Sequence, residues 1–304
     1  MAVSDSERGG FMEESSKYLL EGRKTFFICP DVSMFPDTYL EDYLKRGYET
    51  YIINDDRICT IKEKVQVIID TFKDSILFFY IDTQIEDVNW KDYIKELQET
   101  YKDSVLIGVL YAKRTKEDEM HTLERYYLYD IGIKCGCIAL EYQKEKNFSL
   151  IDKVMFANQA CGRRKNIRAF CDLSSTVIFN YDKKKWLGKI SDVSLSHFSC
   201  VFDLEPKLPL YEKINDILVD VNGLHLHIDG IFVDCRQLED RNLFIFIFAQ
   251  PNGKQGLDED VKTRLSEKIY SLVTDKVKGL LRDLFQEEHK RNAANSSKTK
   301  FLFS

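Results

Sequence analysis

The segment Arg163-Arg164-Lys165-Asn166-Ile167-Arg168 carries an Arg-x-x-x-Arg pair, Arg164 and Arg168, with Arg163 one place ahead. A guanidinium presents its donors in planar forks that grip a phosphate with two bonds or meet the edge of a guanine. Downstream stands Asp192-Val193-Ser194-Leu195-Ser196-His197, a D-x-S pattern. A carboxylate accepts hydrogen bonds, and a serine hydroxyl both donates and accepts. Such a set asks for an anionic, purine-bearing ligand. The bland alternative is a solvated basic linker, which charge runs usually are.

Other reactive residues carry less. Cys135 and Cys137 form a C-x-C pair without partner spacing for zinc, and the eight cysteines read as free thiols in apolar surroundings. His225 and His227 alternate on one strand and share a face, but no third ligand accompanies them. Lys183, Lys184 and Lys185 read as a solvated turn. No G-x-S-x-G, phosphate-cradling loop, H-E-x-x-H or Cys/His pairing is present, so the expectation is a protein without an active site, metal or cofactor.

Composition sets the frame. With 304 residues, 44% hydrophobic and 31% charged, the chain falls in the ordinary globular range and has room for two domains. A formal charge of −6 argues against bulk nucleic-acid affinity. The longest apolar runs, Leu243 to Ala249 and Ser75 to Ile81, span about seven residues against the roughly 20 that cross a bilayer. The start MAVSDSERGGFMEESS lacks a signal-peptide pattern, which makes a cytoplasmic location the expectation.

The elements that position these residues divide in two. Strand and helix alternate from Lys24: strands at Lys24–Cys29, Tyr48–Ile53, Ile76–Ile81, Val105–Tyr111 and Ile131–Leu140. Helices are predicted through Tyr39–Leu44, Ile58–Phe72, Trp90–Tyr101 and Thr115–Leu128. Continuous apolar strands of this kind form a parallel sheet covered on both faces, here a flavodoxin-like α/β domain over residues 23–145. A flexible leader, 1–22, precedes it and a connecting helix, 146–161, follows. From 162 the texture becomes all-β: strands Ile167–Cys171, Thr176–Asn180, Trp186–Ser191, Phe198–Phe202, Ile217–Val221, Leu224–Cys235 and Leu243–Ala249 predict an antiparallel barrel. Asn222-Gly223 and Asp229-Gly230 are turn signals. A long amphipathic helix over Asp258–Glu288 closes this domain near residue 290, and 291–304 reads as an unstructured tail.

Arg-x-x-x-Arg on the approach to a barrel, then D-x-S-x-x, then a terminal helix, resembles the PilZ domain. The resemblance covers Gly162 to Glu288. It implies that the ligand is cyclic di-GMP, with Arg164 and Arg168 on phosphates and guanine faces, Asp192 accepting from a guanine's N1 and exocyclic amine, Ser194 adding a weaker contact and Arg163 stacking on a base. It also implies a bacterial host and a downstream protein partner. The motif departs from the family at His197, where PilZ domains carry the glycine that permits positive φ and close approach of backbone to ligand. His197 would either touch the ligand or fill its place. The first domain resembles the receiver of response regulators, with Asp82 at the position of the phosphorylated aspartate. It lacks the acidic pair after the first strand, where Pro30 precedes a single Asp31, and has Tyr111-Ala112 and Ala139-Leu140 where receivers carry Ser or Thr and Lys. Asp82 then reads as a solvated strand-end residue.

The expected function is a non-enzymatic cyclic di-GMP effector whose binding at the domain junction changes shape or interactions. The alternatives are a degenerate docking module that binds no nucleotide, a phosphorylated receiver, and a flavin binder.

Overall fold

The computed structural model describes residues 19–20, 22–56, 58–114, 116–161, 166–238 and 241–302, with side chains as far as Ala293. Most of the expected leader lies outside the described residues, as do Arg163 and Arg164. The chain divides into two compact units: the described residues of 1–165 with those from Val277 onward, and Asn166–Lys276.

In the first unit, five parallel strands run β1 (Lys24–Ile28), β2 (Glu49–Ile53), β3 (Ser75–Tyr80), β4 (Val105–Ala112) and β5 (Cys137–Leu140), in the order β2-β1-β3-β4-β5. This is the flavodoxin-like strand order. Because β1 and β3 are buried along their whole length, both faces need cover. On one face Phe26, Tyr51 and Phe79 pack under Val65 and Ile68 of α2 (Ile61–Thr71) and Ile94 and Leu97 of α3 (Trp90–Tyr101). On the other, Phe27 and Phe78 meet Tyr43 of α1 (Thr38–Lys45) and Ile151 and Met155 of α5 (Lys144–Ala157). The helix expected to stand between domains is therefore part of this core. Gly108 in β4 sits under Phe78, where a Cβ would come 2.5 Å from the ring.

The predicted helix Thr115–Leu128 is α4 (Glu117–Glu124) followed by a π-helix, Arg125–Ile131. The predicted strand Ile131–Leu140 shrinks to β5. Gly132 and Gly136 adopt φ of 80° and 81°, which ends the helix and turns the chain before the strand can start.

The second unit is antiparallel: β6 (Arg168–Phe170), β7 (Thr176–Tyr181), β8 (Lys184–Ser194), β9 (His197–Phe202), β10 (Lys213–Val221), β11 (Leu224–Gln237) and β12 (Asn242–Ala249). The order β8-β7-β10-β11-β12-β9 closes through a β8–β9 pairing into a six-stranded barrel, and β6 adds to the far end of β8. Its interior is aromatic: Phe198 stacks on Phe246 at 5.1 Å, and Phe179, Phe202 and Phe244 meet edge to face or tilted. Both central residues of the β7–β8 and β10–β11 turns take positive φ, Asp182 and Lys183 in one and Asn222 and Gly223 in the other, as tight hairpins require. Asp229-Gly230 is not a turn. It lies inside β11, where Gly230 leaves room for Ile217, whose Cδ1 would stand 2.8 Å from a Cβ.

The terminal helix α6 runs Glu259–Leu302. It passes the expected end because the residues after Glu288 include no Pro or Gly to stop it. Its residues Val277, Leu281 and Phe285 are buried in the first unit's core, not in the barrel.

Candidate ligand site on the barrel

The site begins with a bulge. Gly188 and Ile190 of β8 point into the barrel, and strict alternation would send Asp192 and Ser194 inward after them. The ladder instead pairs Ile190 with Cys200 and Asp192 with Ser199, so Ser191 is an extra residue on β8. Phase shifts by one: Val193 and Phe198 form the inward pair, and Asp192 and Ser194 turn outward. The D-x-S pattern thus belongs to the strand, three residues beyond its predicted end. Outward neighbours follow from register. Arg168 of β6 pairs with Ser194, Ser199 of β9 with Asp192, and His197 shares the outer face with Ser199.

Four of the six expected residues meet here. Arg168 directs Nε to Asp192 Oδ1 at 3.3 Å and Nη2 to His197 Nε2 at 2.9 Å. A guanidinium only donates, so His197 Nε2 accepts and the ring proton sits on Nδ1. That proton faces Ser194 Oγ at 3.0 Å and Ser196 Oγ at 2.9 Å. Ser194 Oγ in turn accepts from the backbone N–H groups of Ser196 and His197, both at 3.3 Å, and donates to the His197 carbonyl. Burial, then the Arg168 charge, hold the His197 pKa below its ordinary value, which keeps the ring neutral. Arg163 and Arg164 lie outside the described residues.

Asp192 is the buried member, with 7% of its side chain exposed. Its Oδ2 accepts from Ser199 Oγ at 2.5 Å. Oδ1 touches Arg168 without hydrogen-bond alignment and has no hydrogen-bond partner among the described residues. A buried acceptor left short of a donor is costly, which makes Oδ1 the natural place for a ligand N–H. Sequence reasoning missed Ser196, Ser199 and Arg236, whose charge also acts on His197. Only the strand register identifies Ser199.

His197 carries no positive φ. The backbone here therefore makes no demand for the glycine that the PilZ motif carries, and the imidazole fits without strain.

The remaining candidates have local explanations. Asp82 is half-buried and engaged: Oδ2 accepts from the Ala112 N–H at 2.7 Å and Oδ1 pairs with Arg114, so the carboxylate ties the end of β3 to the end of β4. Asp31 Oδ1 accepts from the Ser33 N–H in its own turn. His225 and His227 face Asp220 and Asp216 separately. Burial pushes the Cys135 and Cys137 thiols up to about 12. Among the described residues, no helix is long and apolar enough to cross a membrane.

The closed barrel carries a basic and acidic cluster on its outer corner, and solved structures similar to part of this chain include a PilZ domain. YcgR from Escherichia coli in complex with c-di-GMP is 15% identical with a TM-score of 0.34, over 39% of this chain and 50% of that one. The isolated PilZ domain of YcgR with c-di-GMP is 18% identical with a TM-score of 0.33, over 39% of this chain and 97% of the domain. PlzA from Borreliella burgdorferi in complex with c-di-GMP is 14% identical with a TM-score of 0.24, over 45% of this chain and 50% of that one. This chain thus spans about half the length of the YcgR and PlzA chains it matches. No family model matches it, and no curated protein does.

Proposed function

We propose that this chain is a non-enzymatic receptor for cyclic di-GMP, bound on the outer face of the barrel where β6, β8 and β9 meet. The observation that carries the reading is the convergence of Arg168, Asp192, Ser194 and His197 on one outward face, with Asp192 Oδ1 short of a donor. Arg168 would grip a phosphate or guanine edge with its open Nη1/Nη2 side, and Asp192 would accept from guanine N1 and N2. Arg163 and Arg164, a few residues earlier in the chain, would complete the grip. Binding there would change the shape or interactions of the protein, including its contact with a downstream partner protein.

Isothermal titration calorimetry with cyclic di-GMP tests the reading on the full chain and on the Arg164→Ala, Arg168→Ala double variant. Micromolar or tighter binding that disappears in the double variant is expected. The second reading is a docking module without nucleotide, favoured by one observation: the Nε/Nη2 edge of Arg168 is already engaged by Asp192 and His197. No heat with the native chain, and heat restored by His197→Gly, would select it.

A further inference from the structure

The Nε and Nη2 groups of Arg168 form one edge of its fork, and the protein itself occupies that edge. Asp192 takes Nε at 3.3 Å and His197 takes Nη2 at 2.9 Å. The imidazole accepts only while Nε2 is unprotonated. Once protonated, Nε2 becomes a donor that faces another donor and a positive charge that faces a guanidinium.

Resting on the reading above, we propose that His197 is a proton-operated competitor for Arg168: neutral His197 holds the Nη2 donor on the inner edge of the guanidinium, leaving an anionic ligand only the outer Nη1/Nη2 side, and protonated His197 releases that donor. Two effects then act in one direction. Release frees the Nη2 donor of Arg168 for phosphate, and the new imidazolium adds a positive charge beside the same anion. Ligand binding and proton uptake are therefore linked, and each strengthens the other. The groups that set the balance are named by the packing: Arg168 from β6 and Arg236 from β11 oppose protonation, and Asp192 from β8 favours it. Ser194 and Ser196 hold the ring by Nδ1, so that protonation changes its bonding at Nε2 and not its position.

The experiment is calorimetry of the full chain with cyclic di-GMP at pH values from about 5.5 to 8, in two buffers of different ionisation enthalpy, for the native protein, His197→Gly and His197→Gln. The native affinity should rise by about fivefold or more as the pH falls, with net proton uptake. The two variants should show a flat profile, and His197→Gly should bind tighter than native at pH 8. A second readout needs no ligand: the imidazole of His197, followed by NMR, should titrate at a higher pH in Arg168→Gln than in the native chain. Binding with equal pH profiles in native and His197→Gly overturns the competitor and leaves the receptor intact. Absence of binding in all three proteins at every pH overturns the receptor and the competitor together, even where the NMR shift confirms the contact.

Discussion

Ser199 donates its hydroxyl to Asp192 Oδ2 across the β8–β9 ladder, and this one bond fixes which oxygen of the carboxylate stays open. Ser199→Ala would leave a second buried carboxylate oxygen without a donor. The expected cost is about 1–3 kcal/mol of stability, read from the urea midpoint of the full chain, with weaker cyclic di-GMP binding. An unchanged midpoint would show that water replaces the hydroxyl without loss.

His197 also makes stability depend on pH. Its folded pKa lies below the ordinary value of about 6.5, so the unfolded chain takes up a proton first as pH falls. Its contribution is thus complete above that value and declines below it, as the pH falls toward the folded pKa. Thermal melts from about pH 7.5 to 5.5 should show a steeper loss for the native chain than for His197→Gln. Parallel curves would mean that the histidine is protonated equally in both states.

Gly188 in β8 supports the aromatic interior. A Cβ there would meet Phe202 Cε1 at 2.6 Å and the Val201 carbonyl at 2.9 Å, and Phe202 is itself held against Phe179 and Phe244. Gly188→Ala should cost about 1–3 kcal/mol through overpacking. Chemical denaturation with no change in midpoint would mean that Phe202 moves freely.

Asp82 spends its carboxylate on Ala112 and Arg114. Incubation with acetyl phosphate should leave the mass of the protein unchanged. Asp82→Ala should lower stability by about 1–3 kcal/mol, the cost of an unpaired N–H and guanidinium. A gain in mass matching one phosphoryl group would restore the receiver reading.

Leu281 tests the far half of α6. It is buried at 4% exposure in the first unit's core, and Leu281→Ala should cost about 2–5 kcal/mol. The chain has two tryptophans, Trp90 in the first unit and Trp186 in the second, so fluorescence in a Trp186→Phe background reads the first alone. A midpoint that does not move would place this half of the helix outside that core.

Long regular elements were legible in the chain because their pattern is local. Phe26 to Ile28 and Leu77 to Tyr80 are continuous apolar runs that only a covered strand satisfies, and Val65, Ile68 and Ile69 recur at helical spacing. The π-helix at Arg125–Ile131 was not legible, since its wider hydrogen bonding leaves no distinct periodicity in seven residues. Gly230 read as a turn because its real constraint, the Ile217 side chain, comes from another strand. At the site, Arg168, Asp192, Ser194 and His197 stand out by type. The contact between Arg168 and His197 spans 29 residues of sequence and exists only through strand register, which no short window reveals.

The extra residue at Ser191 works as a reading-frame marker for the surface of the barrel. Removing it would keep every functional side chain in the chain yet exchange inside for outside beyond Ile190. Val193 would face water, while Asp192 and Ser194 would be driven into a cluster of phenylalanines. The length of β8 is thus as much a part of what builds the candidate site as its letters. A relative that keeps the aspartate and serine but loses one residue before them would carry the motif in writing and lack it in space.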